Sequence, residues 1–94
     1  DFSKLGGQIA ERIGDYDRAL AYYALYSEYV GVNPWTNFNM GNIYMKKGET
    51  DKAYEQFKAC YQLSLVTKGY KTVVPPYLKR KLKEHGIKLK DLGI

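Results

Sequence analysis

The stretch NPWTNFNMGNIYMKKGETDKAYEQFKAC, residues 33–60, reads as two helices with a tight turn between them. Asn33 and Pro34 open the first. An asparagine side chain caps free N–H groups, and proline follows where its missing N–H costs nothing. Phe38, Met40, Ile43, Tyr44 and Met45 then supply an apolar face at helical spacing. Lys46, Lys47 and Gly48 end that helix, with cations at its negative end and a glycine free to turn left-handed. Thr50 is the expected cap of the second helix, in which Ala53, Tyr54, Phe57, Cys60, Tyr61 and Ser64 recur three and four apart.

The same pattern stands 34 residues earlier. Sliding the chain by that step pairs Gly7 with Gly41, Ile9 with Ile43, Gly14 with Gly48, Asp17 with Asp51 and Ala19 with Ala53. Conservative pairs share the register: Gln8/Asn42, Arg12/Lys46, Asp15/Glu49, Arg18/Lys52 and Tyr23/Phe57. Five identities fall within thirteen positions, where composition alone gives about two over a whole repeat. The first unit therefore predicts a helix ending near Gly14 and a tyrosine-rich helix over about Tyr16–Val30.

Met40-Gly41-x2-Tyr44 followed by Ala53-x3-Phe57 resembles the tetratricopeptide repeat family, whose pattern is Trp-x2-Leu-Gly-x2-Tyr, then Ala-x3-Phe, then Pro. Asn37 stands at the tryptophan position, with Trp35 two residues earlier, and Leu65 replaces the closing proline. The first unit keeps Gly7, Gly14-Asp15-Tyr16-Asp17, Ala19 and Tyr23, with Ala10 in place of tyrosine and Tyr26 in place of a small residue. The resemblance covers residues 1–67 and implies an all-α fold of antiparallel helix-hairpin repeats, one over 1–33 and one over 34–67. Close packing of two helices requires small residues, so Gly41 and Ala53 should let the two helices touch while Tyr44 and Phe57 fill the space beside them. Cys60 reads as buried filler of the second small position.

A third unit would place glycine near positions 75 and 82, where the chain has Pro75 and Leu82. Residues 68–94 are therefore expected to hold a connection over Gly69–Val74 and a basic capping helix, Tyr77–His85, closed by Gly86. Tyr77, Leu78 and Leu82 form its narrow apolar strip, with Lys79, Arg80, Lys81 and Lys83 around it. Ile87, Leu89 and Leu92 read either as a further turn or as an unfixed end. The net charge of +5 arises entirely here: residues 1–67 carry seven basic against eight acidic side chains, and residues 68–94 carry eight against two. Two repeats and a cap fall below the three or so units that make such a stack stable. That shortfall points to a longer array, a partner or self-association, and a chain starting at Asp1 without methionine reads as a processed or excised piece.

Composition argues against catalysis and cofactors. Gly6-Gly7 has neither the lysine nor the preceding strand of a phosphate loop. One cysteine and one histidine cannot make a Cys/His zinc site, so no metal is expected. His85 reads as a partly exposed cation at a helix end. The lone Cys60, the lack of a basic-then-apolar leader, and the absence of any apolar run near the roughly 20 residues that span a bilayer suit a cytoplasmic protein.

Binding is what the resemblance implies, with the first helix of each pair lining a concave face. That face would carry Lys4, Gln8, Glu11 and Arg12 from the first unit, and Trp35, Phe38, Asn39, Asn42, Met45 and Lys46 from the second. Aromatic area beside amides suits an extended peptide or a helix of a partner protein, as in a scaffold or adaptor. Alternatively, Trp35 and Phe38 pack on a neighbouring repeat. Co-chaperone members of the family hold a terminal carboxylate with a Lys-x3-Asn pair, an asparagine of the second repeat and cations of the third. Lys4 and Asn39 stand in those places, Gln8 replaces the first asparagine, and Lys79, Arg80 or Lys83 would have to stand in for the third repeat. A rival reading makes the chain a structural segment of a longer protein whose basic tail, Lys79, Arg80, Lys81 and Lys83, docks on nucleic acid or an anionic surface. Tyr77 alone gives little stacking and the apolar strip is thin, so nucleic acid and membrane are disfavoured.

Overall fold

In the computed structural model, residues 2–31 and 33–94 are described, with the side chain of Phe2 left aside and Asp1 outside the described residues. Five α-helices follow one another: α1 Phe2–Arg12, α2 Tyr16–Val30, α3 Pro34–Lys47, α4 Thr50–Val66 and α5 Val74–Glu84. A 3-10 turn, Leu89–Leu92, comes last. Helix α1 packs along α2 and α3 along α4, making two antiparallel hairpins. The hairpins stack through α2 and α3, and α5 lies on α4 in the corresponding place. The fold is all-α and tetratricopeptide-like.

The local signals act largely as their chemistry requires. Asn33 Oδ1 accepts the Trp35 N–H at 3.0 Å, and Pro34 is the first residue of α3. Gly48 closes α3 with φ +80°, donating to Met45 O, while Glu49 N donates to Tyr44 O at 2.9 Å. Gly14 repeats this closure 34 residues earlier at φ +84°, with Asp15 N donating to Ala10 O at 2.9 Å. A side chain at either glycine would be strained, because L-residues meet their own backbone in the left-handed region.

Two boundaries differ from expectation. Thr50 is the first residue of α4, and Glu49 holds the cap position with its side chain accepting no first-turn backbone N–H. The Glu49 carboxylate turns instead to the Lys47 and Lys52 ammonium groups, at 3.1 Å and 3.3 Å. Helix α5 begins at Val74 and not at Tyr77. Pro75 and Pro76 fall within its first turn, where they sacrifice no helical hydrogen bond. Ile87, Leu89 and Leu92 resolve as an ordered end: Ile87 and Leu92 are buried, and the 3-10 turn rests on α4.

The close approach inside each hairpin has the expected cause. A Cβ built on Gly41 would lie 2.5 Å from Cε1 of Phe57, and one on Gly7 would lie 3.2 Å from the Tyr23 ring. Each hairpin thus presses a glycine of its first helix onto an aromatic ring of its second. Ala53, Phe57 and Cys60 are buried together with Val74, Leu78 and Leu82, so α5 closes the core of the second hairpin. Burial pushes the Cys60 thiol up to about 12, which leaves it an inert filler. Ala10, Ala19, Tyr23 and Ile43 form the smaller core that joins the two hairpins.

Candidate functional site

Helices α1, α3 and α5 share one face of the molecule, and two cavities lie along it. The first, about 300 Å³, draws Lys4 and Gln8 from α1, Tyr26 from α2, Trp35 and Asn39 from α3, and Tyr77 from α5. The second, about 250 Å³, is lined by Glu11, Asn42, Met45, Lys46 and His85. Lys4, Gln8, Trp35, Phe38 and Asn39 therefore converge at one end, and Asn42, Met45 and Lys46 gather at the other. Arg12 is exposed and lines neither cavity.

The aromatic wall is built by mutual packing. Tyr77 meets Trp35 edge-on at 5.1 Å between ring centroids and Phe38 at 5.4 Å, while Trp35 meets Phe38 at 6.1 Å. Such edge-to-face contacts contribute about 0.5–1.5 kcal/mol each beyond area burial. Phe38 is only 6% exposed, so it forms the floor beneath Trp35 rather than a projecting contact. The chain's own capping helix supplies the covering that a neighbouring repeat would have given.

The polar groups at the two ends differ in availability. Lys46 donates to Glu11 at 2.8 Å, tying α3 to α1 across the second cavity. The buried phenol of Tyr23 is pushed up to about 12, first by burial and then by the Glu11 carboxylate beside it. At the first cavity, by contrast, Lys4, Gln8 and Asn39 make no side-chain hydrogen bond or ion pair with another described residue. Polar groups without internal partners are the ones free to meet a ligand.

The residues Tyr26 and Tyr77 escape the sequence reading of this site. For Tyr26 a signal existed: its register partner is Cys60, fully buried filler, so a large ring there must point elsewhere. For Tyr77 none existed, because its position depends on α5 folding back against α3. The four basic side chains of α5 divide. Lys79, Arg80 and Lys83 are exposed, but Arg80 stacks on the Tyr77 ring at 5.3 Å. Lys81 lies 5.5 Å from the same ring and 3.7 Å from Glu84.

Residues 36–66, which are α3 without its first two residues together with all of α4, match the model of a family described as tetratricopeptide repeat. That hairpin is a tetratricopeptide repeat, a unit whose general role is protein–protein interaction. No curated protein and no solved structure matches the chain. Among the described residues, no helix is long and apolar enough to cross a membrane.

Proposed function

We propose that the chain is a binding module of scaffold, adaptor or co-chaperone type that catalyses nothing and holds the end of a partner peptide in the groove of α1, α3 and α5. The observation that carries this reading is the convergence of Lys4, Gln8 and Asn39, whose side chains have no partner among the described residues, on one cavity walled by Tyr26, Trp35 and Tyr77. A terminal carboxylate meets the Lys4 ammonium and the Asn39 amide, and an apolar side chain lies against the rings. The Gln8 amide is then placed for the peptide backbone. Asn42, Met45 and Lys46 offer the continuation of the track, with Glu11 holding Lys46 in place. The test is a peptide array probed with the labelled chain, each peptide made with a free and with an amidated C-terminus. Selective capture of free termini by the wild type, lost in Lys4→Ala/Asn39→Ala, supports the reading. Equal capture of both forms sinks the carboxylate-holding role.

A second reading, a segment of a longer repeat array, is favoured by the outer face of α1. Leu5 and Ile9 are 53% and 49% exposed along that helix, and Ile13, just past its end, is 72% exposed. Ile43, the register partner of Ile9, is fully buried where α3 docks on the hairpin before it. The face of α1 therefore has the chemistry to dock on a preceding hairpin of the same kind. Fusing a copy of residues 2–31 ahead of the chain should raise the thermal midpoint by several degrees. An unchanged midpoint would rule this out.

A further inference from the structure

The basic end of the chain contains a cavity that the groove does not use. Gly86 turns the backbone so that Ile87 N donates to Leu82 O at 2.9 Å, folding Ile87 back beside Leu82. Between α5 and the 3-10 turn this leaves a space of about 360 Å³ with Leu82, Ile87 and Leu89 as its floor and Lys79, Lys83 and Lys88 at its rim. Lys79, Leu82 and Lys83 lie three and four residues apart and so share one helix face. Tyr77, Arg80, Lys81 and Glu84 share the opposite one. The run of four cations therefore splits in two. Arg80 and Lys81 are engaged by the Tyr77 ring and, for Lys81, by Glu84. Lys79, Lys83 and Lys88 form no ion pair with a described residue; the nearby Asp91 carboxylate accepts the Lys88 backbone N–H at 2.8 Å.

We propose that this cavity docks an acidic peptide carrying one bulky apolar side chain. The side chain enters onto Leu82, Ile87 and Leu89, and carboxylates on either side meet Lys79, Lys83 and Lys88. Charge complementarity selects an anion, and the aliphatic floor selects an anion that also brings something to bury. The volume suits one or two side chains, below the size of most small-molecule sites. Nucleic acid fits less well, since its phosphates would satisfy the lysines and leave the floor wet. No aromatic ring lines the cavity for base stacking, and the one ring of α5 is turned to the opposite face. A membrane fits less well too, because Leu82 and Ile87 are 1% and 5% exposed at the base of a hollow instead of projecting from it. This site is separate from the α1, α3 and α5 groove, so either one can operate without the other.

Fluorescence anisotropy on the full chain tests it. The probe is a labelled peptide of Leu-Phe flanked on each side by three glutamates, and its control replaces Leu-Phe with Gly-Ser at the same charge. Binding of the Leu-Phe peptide about tenfold or more tighter than the control is expected. Lys79→Gln/Lys83→Gln/Lys88→Gln should remove at least about tenfold of that affinity, and Lys4→Ala/Asn39→Ala should leave it unchanged. All five positions are exposed or partly exposed, and unchanged helical circular dichroism of each variant verifies folding. Equal affinity for the two peptides, or none for either, overturns the proposal. So does tighter binding of oligothymidylate or of phosphatidylserine vesicles, or loss in the Lys4/Asn39 variant.

Discussion

Replacing Gly41 with alanine separates two opposed effects of known size. In an isolated helix the change is favourable by about 1 kcal/mol, because alanine restricts the unfolded chain and glycine does not. Here the new methyl would stand 2.5, 2.7 and 3.0 Å from three atoms of the Phe57 ring, against the roughly 3.5–4.0 Å that carbon atoms prefer. The ring has no room to retreat: it is 1% exposed and packed in a core with Cys60, Val74 and Leu78. Relief requires α3 and α4 to part by about 1 Å, and overpacking at so short a distance falls at the upper end of the usual cost, about 2–3 kcal/mol. The clash wins, and Gly41→Ala should destabilise by about 1–2 kcal/mol net. In a chain of this size that lowers the thermal midpoint by about 4–16 °C. Gly7→Ala is the internal control, since its methyl would meet Tyr23 at 3.2 Å and ask for a shift of only tenths of an ångström. Thermal and urea unfolding followed by circular dichroism at 222 nm measures both. Pairing Gly41→Ala with Phe57→Leu should recover part of the loss. A Gly41→Ala variant as stable as the wild type, or a Gly7→Ala variant that loses more, would refute the close-packing account.

Gly48→Ala should cost about 1–2 kcal/mol in urea unfolding, because φ +80° places a Cβ against its own backbone; an unchanged midpoint would show that the turn relaxes. The buried Cys60 thiol should resist a thiol reagent at pH 8 in the native protein and react fully in denaturant, and prompt native reaction would contradict its burial. Because its folded value is raised to about 12 from 9.0, and that of Tyr23 to about 12 from 10.0, these two groups should contribute no pH dependence below about pH 9 and should lower stability as pH climbs toward 12. Cys60→Ala should remove the earlier part of that fall. Lys47 holds the carboxyls of Asp17 and Glu49 below their ordinary values, chiefly by hydrogen bonding, so their contribution is present above about pH 4 and lost as pH falls further. Lys47→Met should flatten the acid limb of the stability profile, and an unchanged slope would show the contact to be too exposed to matter. Tyr77→Ala should expose Trp35, seen as a red shift of its fluorescence, and cost about 3 kcal/mol through the void it leaves.

The parts of the fold legible in the sequence are those set by local rules. Asn33-Pro34 and Lys46-Lys47-Gly48 mark the ends of α3 because caps and left-handed turns depend on a few adjacent residues. Gly41, Ala53 and Phe57 mark the hairpin contact because a 34-residue register repeats it at Gly7, Ala19 and Tyr23. Two helix starts differ from their local signals. At α4, Thr50 falls inside the helix and Glu49 stands at the cap, its carboxylate paired with Lys47 and Lys52. The start of α5 moved forward to Val74 because a first helical turn tolerates prolines that its interior does not. The candidate site was legible only as a face. That Lys4, Gln8 and Asn39 stand together follows from the family register, whereas the wall that Tyr77 adds depends on a contact between distant segments with no local trace.

Departure from the repeat is itself informative, because symmetry fixes which residues the fold needs. Where both units keep Gly7 and Gly41, Gly14 and Gly48, or Ala19 and Ala53, the structure shows a backbone or packing requirement. Where they diverge, the fold has no shared need. Tyr26 stands opposite Cys60 in register, and Asn39 stands opposite Leu5. Cys60 is buried in the core, while Tyr26 lines the first cavity; Leu5 lies on the outer face of α1, while Asn39 lines that same cavity. In each pair the member that the common architecture does not explain is the one that faces the cavity. A helical repeat that only spaced its neighbours would have no reason to place its register-breaking tyrosine and asparagine around one hollow beside a lysine that no described residue pairs. Their convergence therefore favours recognition over spacing as the role of this groove, and it singles out Tyr26 and Asn39 as the positions at which substitution should alter ligand choice without loosening the hairpins.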